Sequence, residues 1–167
     1  LLGSVASYCV KHASVPVAVI PPGTVADAPL DDLVVGVDGS TNADAALRWA
    51  ADHVAPGGRI IAVVCKGPGP YALELIPPQP METSELRQVG EKAVARAIPD
   101  VDATVEVEVL HGDPRVLLRN RAAEADLLVV GARGHRGAAY LLIGSVTTSL
   151  VHHPTVPTVV VPAEGMG

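Results

Sequence analysis

Short runs of aliphatic residues recur along the chain, separated by segments in which apolar positions follow helical spacing. Aliphatic runs that are rich in β-branched residues and bounded by turn-forming residues predict β-strands. Five are expected, at residues 33–37, 59–64, 103–109, 126–130 and 156–161. Three runs are apolar almost throughout, which indicates strands covered on both faces. The run at 103–109 alternates, so we expect it at an exposed edge.

Four helices are predicted between and after these strands, at residues 43–54, 86–98, 115–123 and from Ser145 to His152 or His153. The second has apolar residues spaced for one buried stripe. Asp113 and Pro114 supply a cap and a first helical residue for the third. Alternating strands and helices predict an α/β fold, a parallel sheet with helices on both faces. Ligands bind such sheets at the carboxyl ends of the strands, near the point where strand order reverses.

One segment of twenty residues occurs twice in the chain. Residues 2–21 align without gaps on residues 143–162, and nine of the twenty positions are identical. The simplest interpretation is that residues 1–23 are the terminal helix and strand of a preceding domain, that 24–29 are a linker, and that 30–167 form a complete second copy. The chain is therefore expected to be a fragment of a tandem protein.

Composition narrows the classes of partner. The formal charge of −6 and the low aromatic content, 2%, disfavour attraction to phosphate backbones and stacking on bases, so no nucleic-acid partner is expected. No apolar run approaches the roughly 18 residues of a membrane span, so no membrane contact is expected either. Cys9 and Cys65 have no CxxC spacing and fit a reducing cytoplasm better than a disulfide scaffold.

Glycines and hydroxyl side chains follow two of the predicted strands. Asp38-Gly39-Ser40 comes after the first strand. After the fourth strand come Gly131, Arg133, Gly134 and then Gly144-Ser145-Val146-Thr147, where a helix is predicted to begin. The first amides of a helix have no internal partners, and the helix dipole is positive at that end, so this segment predicts a phosphate site. Arg133 or Arg136 could add positive charge.

These segments closely resemble the ATP-binding universal stress proteins. The resemblance rests on Gly131-x2-Gly134-x9-Gly144-Ser145 after a Leu-Leu-Val-Val strand, on Val-Asp-Gly-Ser after the first strand, and on the final Val-Pro-Thr-Val-Val-Val-Pro. It covers residues 30–167. It implies a five-stranded parallel sheet in the order 3-2-1-4-5, with ATP, with or without Mg²⁺, in the crevice.

The resemblance also implies roles for particular residues. Asp38 would meet the ribose or adenine side of the nucleotide, and Val64 would line the adenine pocket. The phosphates would be cradled by Gly131, Gly134, Gly144, Ser145 and Val146. Independently of the resemblance, the same segment offers the charge of Arg133 and the Thr147 hydroxyl as further phosphate contacts. Domains of this family pair through their last strands. The stretch from Val15 to Ile20 is thus expected antiparallel to that from Val156 to Val161, within one chain or in a homodimer.

Three functions are compatible with these residues. The first is a regulatory nucleotide sensor of the stress response. The second is an adenylating or ATP-hydrolysing enzyme, for which S-G-G-x-D-S after the first strand or H-x-G-H would be expected; neither is present, although slow hydrolysis stays open. The third is a protein-interaction or dimerisation module without nucleotide, which the intact glycine spacing disfavours. No catalytic residue and no metal-binding residue is assigned.

Three other segments give weaker indications of function. The proline-rich stretch 66–80 is either a flap over the adenine pocket or a partner contact. His135 could sense pH, but a solvated loop residue is the simpler interpretation. His152 and His153 are neighbours on a helix, a spacing that disfavours a metal pair.

Overall fold

The computed structural model describes residues 3–24, 29–67, 82–134 and 143–162. Within them, the helices are α1 (Ser4–His12), α2 (Thr41–His53), α3 (Thr83–Ala97), α4 (Pro114–Ala122) and α5 (Ser145–His152). The strands are β1 (Val17–Val19), β2 (Asp32–Val37), β3 (Arg59–Lys66), β4 (Thr104–His111), β5 (Leu127–Gly131) and β6 (Thr158–Val161). The predicted elements of the domain are present, with boundaries shifted by up to three residues.

One sheet contains the six described strands, in the order β1-β6-β5-β2-β3-β4. The strands β4, β3, β2, β5 and β6 run parallel, and β1 joins β6 antiparallel. The sheet thus has six strands rather than the five of the predicted fold class, because β1 extends its edge. The alternating strand β4 lies at the opposite edge, as predicted. Strand order reverses at β2, so the carboxyl ends of β2 and β5 flank the switch point.

The two faces of the sheet have separate hydrophobic cores. One lies under α2 and α3, and the other lies under α1, α4 and α5. Helix α3 approaches the sheet closely at Gly90, where a Cβ would lie 2.5 Å from Val107 Cγ1. Asp44 of α2 is buried and accepts two hydrogen bonds from Arg96 of α3, at 2.6 and 2.7 Å. These contacts fix the helices that cover the first face.

The pairing of β1 with β6 is symmetric with respect to the internal repeat. Its register is Val17 with Val160, Ala18 with Val159 and Val19 with Thr158. Residues 17, 18 and 19 are the repeat equivalents of 158, 159 and 160, so each pair is matched by its mirror pair and Ala18 faces its own equivalent. A local two-fold axis therefore passes between Ala18 and Val159.

The helices of the repeat obey the same symmetry. A narrow crevice between α1 and α5 is lined by Ser7, Val10 and Lys11 and by their repeat equivalents Thr148, Val151 and His152. Val10 and Val151 are both buried in the core on this face. The segment α1–β1 thus packs against α5–β6 as one half of a two-fold interface would, and the expected antiparallel pairing is present within one chain.

Among the helices of the described ranges, none combines the length and the apolar character needed to cross a bilayer.

Candidate functional site

The turn after β2 lies at the switch point and is held by its own polar groups. Gly39 has φ of +82°, a conformation that favours glycine. The Ser40 amide donates to Asp38 Oδ1 at 3.0 Å, and Ser40 Oγ accepts from the Ala43 amide, capping α2. These bonds fix the backbone of the turn and leave Asp38 exposed at its tip.

Asp38 lies directly against the loop that follows β5. A Cβ built on Gly134 would be 2.6 Å from Asp38 Oδ2, so only glycine leaves room for the carboxylate in its present position. The structure therefore brings together two predicted site residues from segments about a hundred positions apart. Arg133 is half-buried beside them, and its Cα lies 3.6 Å from where a Cβ of Gly144 would be.

Gly131 meets a different neighbour. A Cβ on Gly131 would lie 2.8 Å from the carbonyl carbon, the carbonyl oxygen and the Cβ of Asn42, in the first turn of α2. The missing side chain at 131 thus allows α2 to approach β5. Asn42 Oδ1 is buried at this contact and has no hydrogen-bond partner among the described residues. No sequence signal pointed to Asn42, because asparagine in a first helical turn is common.

Helix α5 begins beside this contact. Gly144 is its N-cap, with extended backbone and no side-chain cap, and the Gly144 amide donates to the Ala132 carbonyl at 2.7 Å. The helical ladder starts with the Thr148 amide, which donates to the Gly144 carbonyl. The amides of Ser145 and Val146 fall in the first turn, where a helix has no acceptor for them. Ser145 is exposed and Val146 is half-buried, so this first turn reaches the surface of the protein.

Two of the predicted site residues have buried side chains. Thr147 is 4% exposed, and its hydroxyl donates to the Gly131 carbonyl at 2.8 Å. Val64 is 3% exposed and packs under α3, where its Cγ2 would be 3.0 Å from a Cβ of Gly90. Val64 pairs in the sheet with Val37, the residue before Asp38, and its side chain belongs to the core under α3.

The thiol of Cys65, near the end of β3, has a perturbed pKa. Burial, and secondarily the charge of Asp113, raises the pKa of the Cys65 thiol to about 11. Across the described ranges, no three histidine, cysteine, aspartate or glutamate side chains are grouped to hold a metal ion. His135, Arg136 and residues 68–80 of the proline-rich stretch lie outside the described residues.

The arrangement offers hydrogen-bond donors and acceptors of two kinds. The first turn of α5 presents backbone amides and the positive end of the helix dipole, which suit an anion. The carboxylate of Asp38, on the other side of Gly134, accepts hydrogen bonds and suits hydroxyl or amino groups. A ligand that carries phosphate at one end and hydroxyls at the other would match both.

The chain matches the family model of the Universal stress protein family over residues 30–162. A universal stress protein of Mycolicibacterium smegmatis is 35% identical, over 77% of this chain and 47% of the relative. Universal stress protein Rv1996 of Mycobacterium tuberculosis is 34% identical, over 96% of this chain and 53% of the relative. The chain thus spans about half the length of these relatives.

Solved structures show the same fold. A universal stress protein in complex with cAMP superposes with a TM-score of 0.62 at 25% identity, over 82% of this chain and all of that one, 100%. A universal stress protein of Archaeoglobus fulgidus gives a TM-score of 0.67 at 23% identity, over 99% of this chain and 56% of that one. An Arabidopsis thaliana family member with AMP bound gives 0.51 at 15% identity, over 80% and 92%.

Proposed function

The chain belongs to the universal stress protein family, and from that premise we propose that it binds an adenine nucleotide, ATP in the first place, as a regulatory sensor in a stress response. The observation that carries the proposal is the meeting of Asp38 with Gly134 beside the uncapped first turn of α5. Occupancy, rather than turnover, is the signal in such a role.

Each part of the nucleotide has a matching group in the proposed site. The amides of Ser145 and Val146 and the Ser145 hydroxyl would receive phosphate oxygens, and Gly134 keeps that approach free of side-chain atoms. The Asp38 carboxylate would accept hydrogen bonds from ribose hydroxyls. Mg²⁺ usually retains several waters and is shared with phosphate oxygens, so it needs few protein ligands here.

The solved relatives support the adenine part of this proposal. One family member of the same fold was solved in complex with cAMP and another with AMP bound. Both ligands carry adenine, ribose and one phosphate. The choice of ATP rests on the number of donors in the first turn of α5, where the Ser145 and Val146 amides and the Ser145 hydroxyl would receive more than one phosphate.

We also propose that α1 and β1 complete a preceding universal stress domain, that residues 24–29 are a linker, and that 30–167 form the second domain. Large apolar side chains in the first segment are exposed: Val5 at 76%, Tyr8 at 64%, Val15 at 62% and Ile20 at 56%. The repeat equivalents of Val5, Val15 and Ile20 are Val146, Val156 and Val161, which pack against the domain core. The exposed face of α1–β1 thus matches one that a domain body covers.

The same apolar face favours a second candidate function, a protein-interaction module that works without nucleotide. In that case the exposed apolar face of α1–β1, opposite its contact with α5–β6, would be the functional surface. The glycine contacts at the switch point would then serve packing alone. The two candidates differ in one measurable property, which is nucleotide affinity.

Thermal unfolding of the chain with ATP, AMP and GTP tests the proposal. At 100 times its dissociation constant, ATP should add about 2.7 kcal/mol to the free energy of unfolding. For a chain of this size that corresponds to a rise of about 5–10 °C in the midpoint. We expect the rise with ATP and a smaller one with GTP.

The Gly144→Asp variant locates the site. Aspartate is a favoured N-cap, so its carboxylate should cap the first amides of α5, keep the fold stable and repel phosphate. The matched control is Gly3→Asp, the same change at the repeat-equivalent N-cap of α1, where no atom lies within 4 Å of a new Cβ. A shift lost only in Gly144→Asp supports the site; no shift in the unaltered chain favours the interaction module.

A further inference from the structure

Thr147 connects the first turn of α5 to the end of β5. Its hydroxyl donates to the carbonyl of Gly131, the last residue of that strand, at 2.8 Å. The side chain is 4% exposed, so it faces the interior of the fold rather than the crevice. A hydroxyl in this position is poorly placed to contact phosphate directly. It is well placed to hold the helix that does.

Gly131 is itself fixed from two other directions. It pairs with Val161 in the sheet, and its Cα lies against the backbone of Asn42 in α2. The adjacent carbonyl, that of Ala132, accepts the Gly144 amide at 2.7 Å. Two consecutive carbonyls at the end of β5 therefore hold the N-cap and the third residue of α5. The amides of Ser145 and Val146 lie between these two attachments.

Thr148 has the same side chain and a different partner. Its hydroxyl donates to the Gly144 carbonyl at 2.8 Å, a bond that stays within α5 and its cap. Removing that hydroxyl leaves the helix attached to β5 as before. The chain thus offers two neighbouring threonines, of which only Thr147 bonds across to the strand.

We propose that Thr147 is a positioning residue of the nucleotide site, which sets the distance between the glycine turn after β5 and the first amides of α5. The inference rests on the proposed nucleotide function and reassigns Thr147 from a phosphate contact to a support of the residues that make it. Because the phosphates meet the α5 amides while the nucleoside meets Asp38, loss of the support should weaken phosphate binding selectively.

Calorimetric titration of ATP and of adenosine into the chain and its Thr147→Val variant tests this role. Valine keeps the shape of threonine and removes the hydroxyl. We expect the ATP dissociation constant to rise about 5- to 10-fold, the size of one lost neutral hydrogen bond. We expect the adenosine constant to change less than about twofold, because the nucleoside contacts are untouched. Thr147→Ser should restore ATP binding, and Thr148→Val should leave both constants unchanged.

Each other outcome has a defined meaning. If Thr147→Val binds ATP as the unaltered chain does, or loses ATP and adenosine equally, the positioning role is wrong while the nucleotide function stands. If the unaltered chain binds neither ligand, the proposed function and this role both fall. Should Thr147→Val fold poorly, Thr147→Ala replaces it, since the smaller side chain lets water reach the Gly131 carbonyl; the same selective loss of ATP is expected.

Discussion

Replacing Gly131 and Gly134 by alanine, one at a time, should separate stability from binding. Neither glycine has a positive φ, so alanine is strained at neither position by its backbone. The difference lies in what the new methyl group meets. At 131 it would lie 2.8 Å from backbone atoms of Asn42, whereas at 134 it would lie 2.6 Å from Oδ2 of the Asp38 side chain.

The two contacts predict opposite effects. Backbone atoms in the first turn of α2 cannot move without moving the helix, so Gly131→Ala should cost about 1–3 kcal/mol of unfolding free energy, as overpacking does. At about 2–4 °C per kcal/mol, the midpoint should fall by about 2–12 °C. Asp38 is exposed, so its carboxylate can shift at the expense of the bond from the Ser40 amide, and Gly134→Ala should cost only about 0.5 kcal/mol, the lower end for a hydrogen bond.

Binding should follow the reverse order. In Gly134→Ala the displaced Asp38 carboxylate can no longer reach a ribose, and a hydrogen bond to a charged group is worth about 1.5–3 kcal/mol. The ATP dissociation constant should therefore rise about 10- to 100-fold with little change in the melting point. Melting curves and ATP titrations of both variants check this, with Gly3→Ala as the control outside the site because no atom lies within 4 Å of its new Cβ. Equal midpoints of thermal unfolding for the Gly131 and Gly134 variants would refute the reasoning.

Three further predictions concern other parts of the molecule. Cys65, with its pKa raised to about 11, should react with iodoacetamide at pH 8 far more slowly than the exposed Cys9; equal rates would contradict the burial of that thiol. The hydrogen bond from Arg59 lowers the pKa of Asp32, so this carboxylate stabilises the fold above its unfolded pKa of about 4. The difference in unfolding free energy between the unaltered chain and Asp32→Asn should therefore shrink as the pH falls below that value. A difference that stays constant in acid unfolding would disprove the coupling. Val19→Asp puts a charge into the core and should release β1 from the sheet. The open edge of β6 should then associate with a second chain, so that light scattering gives a mass above 17.1 kDa. The control Ala18→Asp, on the exposed side of β1, should not change the mass.

The layered fold follows from features that a sequence displays directly. Continuous aliphatic runs identify the central strands, and the alternation of Glu106 and Glu108 with valines identifies β4 as an edge. The start of the last strand was less predictable. Val156 and Pro157 are apolar and continue the aliphatic run, but they lie before β6, which begins at Thr158. The sixth strand was visible only as a repeat. Its joining the sheet depends on the match between two segments, which no local window shows.

The site shows the same division between what spacing predicts and what packing decides. The positions of Gly131, Gly134 and Gly144 along the chain predict a turn and a helix start, and all three lie at the carboxyl end of β5. Their spacing does not say which neighbour occupies the space that a side chain would fill, and that neighbour is Asn42 for one glycine and Asp38 for another. Likewise, the sequence places Thr147 in the first turn of α5, where its hydroxyl could bind a ligand. Only the structure shows that this side chain points to the end of β5 instead.

The two copies of a repeated segment can therefore have different roles in one fold. Ile20 and Val161 occupy equivalent places in the repeat, yet Ile20 is exposed and Val161 is buried. The difference arises because β6 has β5 on one side and α2 on its face, whereas β1 is the edge strand, with β6 on one side and α1 against it. Local sequence determines that each segment forms a helix followed by a strand, but burial depends on the body that packs against it. The proposal of a preceding domain therefore depends on the apolar face of α1–β1, which such a domain would cover.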